Sequence, residues 1–197
     1  SLPTALATKA SGFVANMTDT KRLRADVDFE AQTQNLSFVM AALPRAVQRN
    51  YRIPNGMSAN GHLRADGADY EADVTLREGD GTVKAKGRVN TDVMRYDVTA
   101  NIDRLNLHHF MPRDSFYTVT ADIAAKGQGT DVFSPRTTLH ADAKIQHLGY
   151  GHWNLDNVTA QADIKNGQAH ADINSDNKLM NGLVTVDALM KKGQIDG

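Results

Sequence analysis

Apolar and polar residues alternate in short runs along nearly the whole chain. Between 160 and 173, Ala160, Ala162 and Ile164 alternate with Gln161, Asp163 and Lys165. Asn166-Gly167 follows, and then Ala169, Ala171 and Ile173 alternate with Gln168, His170 and Asp172. A period of two sends successive side chains to opposite faces of a β-strand. Asn-Gly between two such runs predicts a hairpin, because a type I′ turn needs positive φ at both central residues. With those two at the tip, Ile164 faces Ala169, Ala162 faces Ala171 and Ala160 faces Ile173. Asp163 meets His170 on the other face, so apolar pairs with apolar throughout.

The same reading extends over the rest of the chain. In HLRADGADYEA, an Asp66-Gly67 turn places Leu63 opposite Tyr70, Ala65 opposite Ala68, Arg64 opposite Asp69 and His62 opposite Glu71. A four-residue loop from Glu78 to Gly81 sets Leu76 against Val83, Val74 against Ala85 and Tyr70 against Val89. Asp73 then pairs with Lys86 and Glu71 with Arg88. Further runs carry Leu23, Ala25, Val27 and Phe29; Tyr96, Val98, Ala100 and Ile102; and Tyr117, Val119, Ala121 and Ile123. Two more carry Leu139, Ala141, Ala143 and Ile145, and Val184, Val186, Ala188 and Met190. The phase shifts between Leu155 and Val158, which predicts a bulge. The pattern amounts to a mainly β chain, an antiparallel meander of about eleven strands.

Two segments break the rhythm. LSFVMAALPRAVQRN, near 36–50, predicts a short helix with Pro44 at a break, and a second helical stub is predicted near 106–113. Leu36, Pro44 and Arg45 match Leu105, Pro112 and Arg113 with one residue deleted. This outlines an internal repeat, about 36–104 and 105–190.

Composition narrows the picture. Asp outnumbers Glu twenty to three, and Asp is the poorer helix former. Leu, Ile, Val and Phe supply only 42 of 197 residues, so the apolar layer is thin and rich in Ala. A net charge of -1 implies no pull toward nucleic acid. Without cysteine there is neither a disulfide framework nor thiolate chemistry. The chain opens at Ser1-Leu2 without methionine and holds no run of the roughly 20 apolar residues that span a bilayer. It therefore reads as one β-rich fragment, 1–197, of a larger protein.

Candidate chemistry is sparse. The histidines at 62, 108, 109, 140, 147, 152 and 170 include no HxH or HxxxH spacing, so no metal is assigned. The density at Asp172, Asn174, Asp176 and Asn177 matches no calcium loop. No nucleophile motif occurs, and the carboxylates fall on the solvated face, so the expectation is a non-enzymatic protein without cofactor. Tyr70, Tyr96 and Tyr117 share phase with the apolar positions and are expected to pack there.

The segments LSFVMAALPRAVQRNYRIPNGMSANGHLRADGADYEADVTLREGDGTVKAKGRV and YDVTANIDRLNLHHFMPRDSFYTVTADIAAKGQGTDVF carry a leucine-rich stub, a proline and strings of thin strands. In this outline, over roughly 20–190, the chain resembles the AsmA-like and TamB-like envelope proteins of Gram-negative bacteria. The resemblance implies the periplasmic portion of a protein anchored in the inner membrane. It implies a U-shaped, β-taco-like sheet with an apolar inner face, and a role in outer-membrane biogenesis. That role is either phospholipid transport between membranes or assistance to protein assembly and secretion. An outer-membrane assembly partner is implied by the resemblance alone. A trough of small apolar residues suits lipid acyl chains, which bury at about 0.8 kcal/mol per CH₂. The candidate lining is Tyr70, Ala72, Val74 and Leu76; Val83, Ala85 and Val89; Tyr96, Val98, Ala100 and Ile102; Val119, Ala121 and Ile123; Leu139, Ala141, Ala143 and Ile145; Ala160, Ala162 and Ile164; and Ala169, Ala171 and Ile173. The competing expectation is a β-sandwich module that binds glycan or calcium.

Overall fold

The computed structural model describes residues 6–19, 21–33, 50–178, 181–191 and 194–196. The strands are β1 (Leu6–Ala15), β2 (Arg24–Thr33), β3 (Ser58–Asp66), β4 (Asp69–Glu78), β5 (Gly81–Asn90), β6 (Arg95–Asn106), β7 (Phe116–Gln128), β8 (Thr138–Tyr150), β9 (Trp153–Lys165), β10 (Gln168–Asp176), β11 (Asn181–Lys191) and β12 (Gln194–Asp196). They form one antiparallel sheet in sequence order, each strand pairing with the next; residues 34–57 lie between β2 and β3, and the other connections are short. The two outer strands do not pair with each other, and the sheet is open. Eleven long strands match the expected number, and β12 adds three residues. The alternation marks no strand as early as β1, where Phe13 and Val14 are exposed.

Register confirms most of the pairing logic. The Asn166-Gly167 turn has φ of 55° and 72°, and Ile164, Ala162 and Ala160 lie opposite Ala169, Ala171 and Ile173. Leu76, Val74, Tyr70, Asp73 and Glu71 meet Val83, Ala85, Val89, Lys86 and Arg88 as expected, but Glu78 pairs with Gly81, so that loop is the two residues Gly79-Asp80. The turn after β3 differs more. Asp66 lies opposite Asp69, so the loop is Gly67-Ala68, and Leu63, Ala65, Arg64 and His62 face Ala72, Tyr70, Glu71 and Asp73. The reason is backbone chemistry: Gly67 has φ 59° as the first central residue, the place where a type II′ turn needs glycine. The bulge in β9 is present, with Asn157 at φ 55° while Leu155 and Val158 meet Leu148 and Ile145.

The helix expected near 36–50 falls on 34–49, outside the described residues, apart from Asn50. The stub expected near 106–113 shortens to a 3-10 turn, Leu107–His109, capped by the Asn106 side chain, which accepts from the His108 N–H. A helix this short gains too little from its few hydrogen bonds to extend without packing support.

The pairing aligns four apolar rows across the sheet. One runs Ala25, Ala65, Tyr70, Val89, Tyr96, Gly127, Leu139, Ile164, Ala169 and Ala188 from β2 to β11. The fourth carries Ala59, Leu76, Val83, Ile102, Ala121, Ile145 and Val158. The best-packed point sits on that fourth row. Leu105, Val119 and Ala121 are buried there, with Val83, Ile102, Leu107, Phe110, Ile145 and Leu148 against them. Elsewhere contacts between elements run from strand to neighbouring strand, and few apolar side chains among the described residues are buried.

Candidate functional site

A hollow of about 540 Å³ lies across β2 to β7 on the side of the apolar rows. Its lining includes Ala25, Leu63, Ala65, Tyr70, Ala72, Val74, Ala85, Gly87, Val89, Val98, Ala100 and Ile123. Leu63, Val98 and Ile123 remain 42%, 37% and 41% exposed. Solvent reaches a large apolar surface here, which soluble chains rarely leave uncovered without a use for it.

Alternation explains the lining locally. In β4 and β5 each apolar residue has a charged neighbour in sequence, so Tyr70, Ala72 and Val74 turn one way and Glu71 and Asp73 the other. Glycine allows two close approaches in the same sheet. A Cβ on Gly61 would come within 2.2 Å of the Asp73 carbonyl oxygen, so β3 and β4 approach at a distance only glycine permits. The Tyr96 ring lies against Gly127, where an added Cβ would meet its hydroxyl at 2.6 Å.

Of the sequence-derived lining, the hollow gathers Tyr70, Ala72, Val74, Ala85, Val89, Val98, Ala100 and Ile123. Val83, Ile102, Val119, Ala121 and Ile145 belong instead to the packed cluster, in the row that also holds Leu76. Leu139, Ala141, Ala143, Ala160, Ala162, Ile164, Ala169, Ala171 and Ile173 continue the rows over β8 to β10, beyond the hollow. Tyr117 departs from expectation: it is 41% exposed and stacks on His108, because the pairing of β7 with β8 shifts between Phe116 and Val119. Ala25, Leu63 and Ala65 line the hollow but stand outside the expected set. Their signal was the phase they share with Tyr70 in the aligned rows.

One end of the apolar rows is closed by a polar clasp. Glu78, buried at the tip of β4, lies 2.7 Å from His109 Nδ1, and Asn106 Nδ2 is 3.1 Å from His109 Nε2. The Arg52 N–H donates to the Phe110 carbonyl at 2.7 Å. These bonds hold the 3-10 turn over Leu105 and Val119.

The opposite face is charged. A row from β2 to β11 reads Asp26, Arg64, Glu71, Arg88, Asp97, Lys126, His140, Asp163, His170 and Asp187. Sign alternates from Asp26 to Lys126, and again from His140 to Asp187 where the histidines are protonated, but Lys126 and His140 stand opposite each other as like charges. Opposite charges across a strand pair are mildly stabilising. His140 Nδ1 is 2.8 Å from Asp163, and His170 Nδ1 is 2.7 Å from Asp187. Bonding to Asp163 raises the pKa of His140, and bonding to Asp187 and then Asp172 raises that of His170. Asp28 raises His62 in the same way. Donation from Asn101 and Gln146 lowers Asp122, and donation from Thr185 and His170 lowers Asp172. A second hollow, about 910 Å³, lies across β5 to β10, lined by Lys84, Asn101, Asp122, Lys144, Gln161 and Asp172 together with Ala100, Ile123, Ala143 and Ala160. Among the described residues no group of three or more His, Asp or Glu side chains is placed to hold a metal ion.

No model of a known protein family, no curated protein and no solved structure matches this chain.

Proposed function

We propose that this chain is a non-enzymatic lining segment of a periplasmic envelope protein of the AsmA-like or TamB-like kind, and that its apolar side holds phospholipid acyl chains. The observation that carries the reading is the uncovered hollow across β2 to β7, with Leu63, Val98 and Ile123 open to solvent. Six strands spaced about 4.8 Å apart give it a length near 24 Å. One leaflet's share of a hydrocarbon core is about 15 Å, so an acyl chain fits lengthwise, perpendicular to the strands. On this reading the sheet curls about its apolar rows as a trough.

The energetics favour passage over storage. Ten fully buried methylenes would bring about 8 kcal/mol, while association costs about 4–15 kcal/mol. A chain held on one side only sits near balance and exchanges readily. The second reading, glycan at the charged groups, draws on the 910 Å³ hollow they line. It is the weaker one, because the carboxylates there are already occupied: Asp122 by Asn101 and Gln146, Asp142 by Gln161, and Asp172 by Thr185.

Organic extraction of the purified chain followed by mass spectrometry tests the proposal. Fatty acid or phospholipid is expected in the extract, reduced several-fold in a Leu63→Asp, Val98→Asp double variant of unchanged circular dichroism. Lipid recovered equally from both proteins, or from neither after incubation with phospholipid, would count against it.

A further inference from the structure

Phe116, Tyr150 and Trp153 stand side by side at the ends of β7, β8 and β9, Phe116 opposite Tyr150 and Tyr150 opposite Trp153. The Phe116 and Tyr150 rings are 5.1 Å apart and tilted by 59°, and the His152 ring is 4.5 Å from Trp153 at 39°. Tyr150 and Trp153 are 45% and 47% exposed. Trp153 is the only tryptophan of the chain, and it sits at a hairpin tip instead of in the core. That tip is anchored: the Gly151 N–H donates to the Ser115 carbonyl at 2.7 Å.

Two exposed cations connect to this rim through their chain neighbours. Arg113 is exposed in the loop that leads to Ser115, with Asp114 as the acid beside it. Lys178 is exposed next to Asn177, whose Nδ2 donates to the carbonyls of Asn154 and Asp156, each at 3.2 Å, beside Trp153. Neither cation forms an ion pair among the described residues. The packed cluster on Leu105, Val119 and Leu148 separates this rim from the hollow.

We propose that the Phe116–Tyr150–Trp153 rim docks into the headgroup layer of a phospholipid membrane. Tryptophan and tyrosine carry a broad apolar ring with one polar tip, and that combination favours the boundary between hydrocarbon and water. Arg113 and Lys178 complement lipid phosphate. A sugar platform would need rings presenting one common face, and these are tilted against one another. The proposal goes beyond the acyl-chain reading and does not depend on it.

The lone tryptophan makes the test direct. Vesicles of phosphatidylcholine and phosphatidylglycerol in equal parts are titrated into the chain while Trp153 emission is followed. A blue shift is expected, together with co-sedimentation that weakens as salt is raised. Tyr150→Ser and Trp153→Ser variants of unchanged circular dichroism are expected to lose about tenfold in co-sedimentation, since each withholds one large aromatic from the apolar layer. The Leu63→Asp, Val98→Asp variant keeps the blue shift, which separates the rim from the hollow. Unchanged emission with vesicles overturns the proposal. So does a blue shift that vanishes in the hollow variant, or a response to soluble oligosaccharides and none to vesicles.

Discussion

Strands β2 to β7 and strands β8 to β11 extend the same apolar rows and the same charged row, yet they fill them differently. In the first part the cationic places belong to Arg64, Arg88 and Lys126. In the second they belong to His140 and His170. The apolar places differ as well. Leu63, Tyr70, Val74, Val89 and Val98 give the first part bulk, while Ala141, Ala143, Ala160, Ala162 and Ala171 keep the second thin. The hollows differ in extent: one spans β2 to β7, and the larger one, which adds Lys84, Asp122, Lys144 and Asp172 to its lining, spans β5 to β10. A twisted sheet offers a concavity to each face along different directions, so one binary pattern yields two surfaces. The first part carries the hollow with Leu63 and Val98 open to solvent, and in the second the cations of this row are histidines bonded to Asp163 and Asp187.

The comparison breaks most visibly at Gly61 in β3. Valine favours strands elsewhere, but here its Cβ meets the Asp73 backbone oxygen. Gly61→Val is expected to cost on the order of 3 kcal/mol, the upper end for single substitutions, read from the urea midpoint. A neutral or stabilising result would show that the close approach of β3 and β4 is not required.

Next in size is the contrast between packed and open apolar residues. Leu105→Ala, in the cluster, should cost about 2–3 kcal/mol by leaving a cavity. Leu63→Ala, in the hollow, should cost about 1 kcal/mol or less, because the leucine is already 42% exposed. Equal costs in thermal unfolding would mean that Leu63 is covered in solution.

Gly167→Ala at the β9–β10 turn forces a Cβ into φ 72°. Destabilisation of about 1 kcal/mol is expected, with hydrogen exchange rising first in β9 and β10.

The smallest effect is the acid response of β8 to β11. His140 faces Lys126 on β7, Asp163 on β9 and Asp142 on its own strand, and His170 faces Asp163 on β9, Asp187 on β11 and Asp172 beside it. Both folded pKa values lie above the ordinary 6.5. Their stabilisation is therefore complete below about pH 6.5 and fades as pH rises through the folded values. Amide exchange in β8 to β11 should accelerate from mildly acidic to mildly alkaline buffer more than its intrinsic pH dependence. A His140→Gln, His170→Gln variant should lose that excess. An identical response in the variant would remove the histidines from the account.

Much of the fold could be read in the residues. Alternation of Ala162 with Asp163 and the Asn166-Gly167 turn set β9 and β10 in register. The turn at Gly67-Ala68 was misplaced by a residue, because Asp-Gly serves both turn families and only the backbone angles separate them. Tyr117 was misassigned because a bulge breaks the period on which phase depends. Phase placed Tyr70, Val89 and Val98 on the side where the hollow lies, but not the boundary that assigns Val83 and Ile102 to the packed cluster.

The sequence by itself determined that this protein is an antiparallel β-meander, because runs that alternate with a period of two, punctuated by tight turns such as Asn166-Gly167, can pair only with their neighbours. Only the tertiary structure decided where Leu63 and Val98 stay open, where Leu105 and Val119 are sealed, and that Trp153 stands at a rim. Those outcomes depend on twist, bulges and strand spacing, which accumulate over many pairings and are written in no local run of residues.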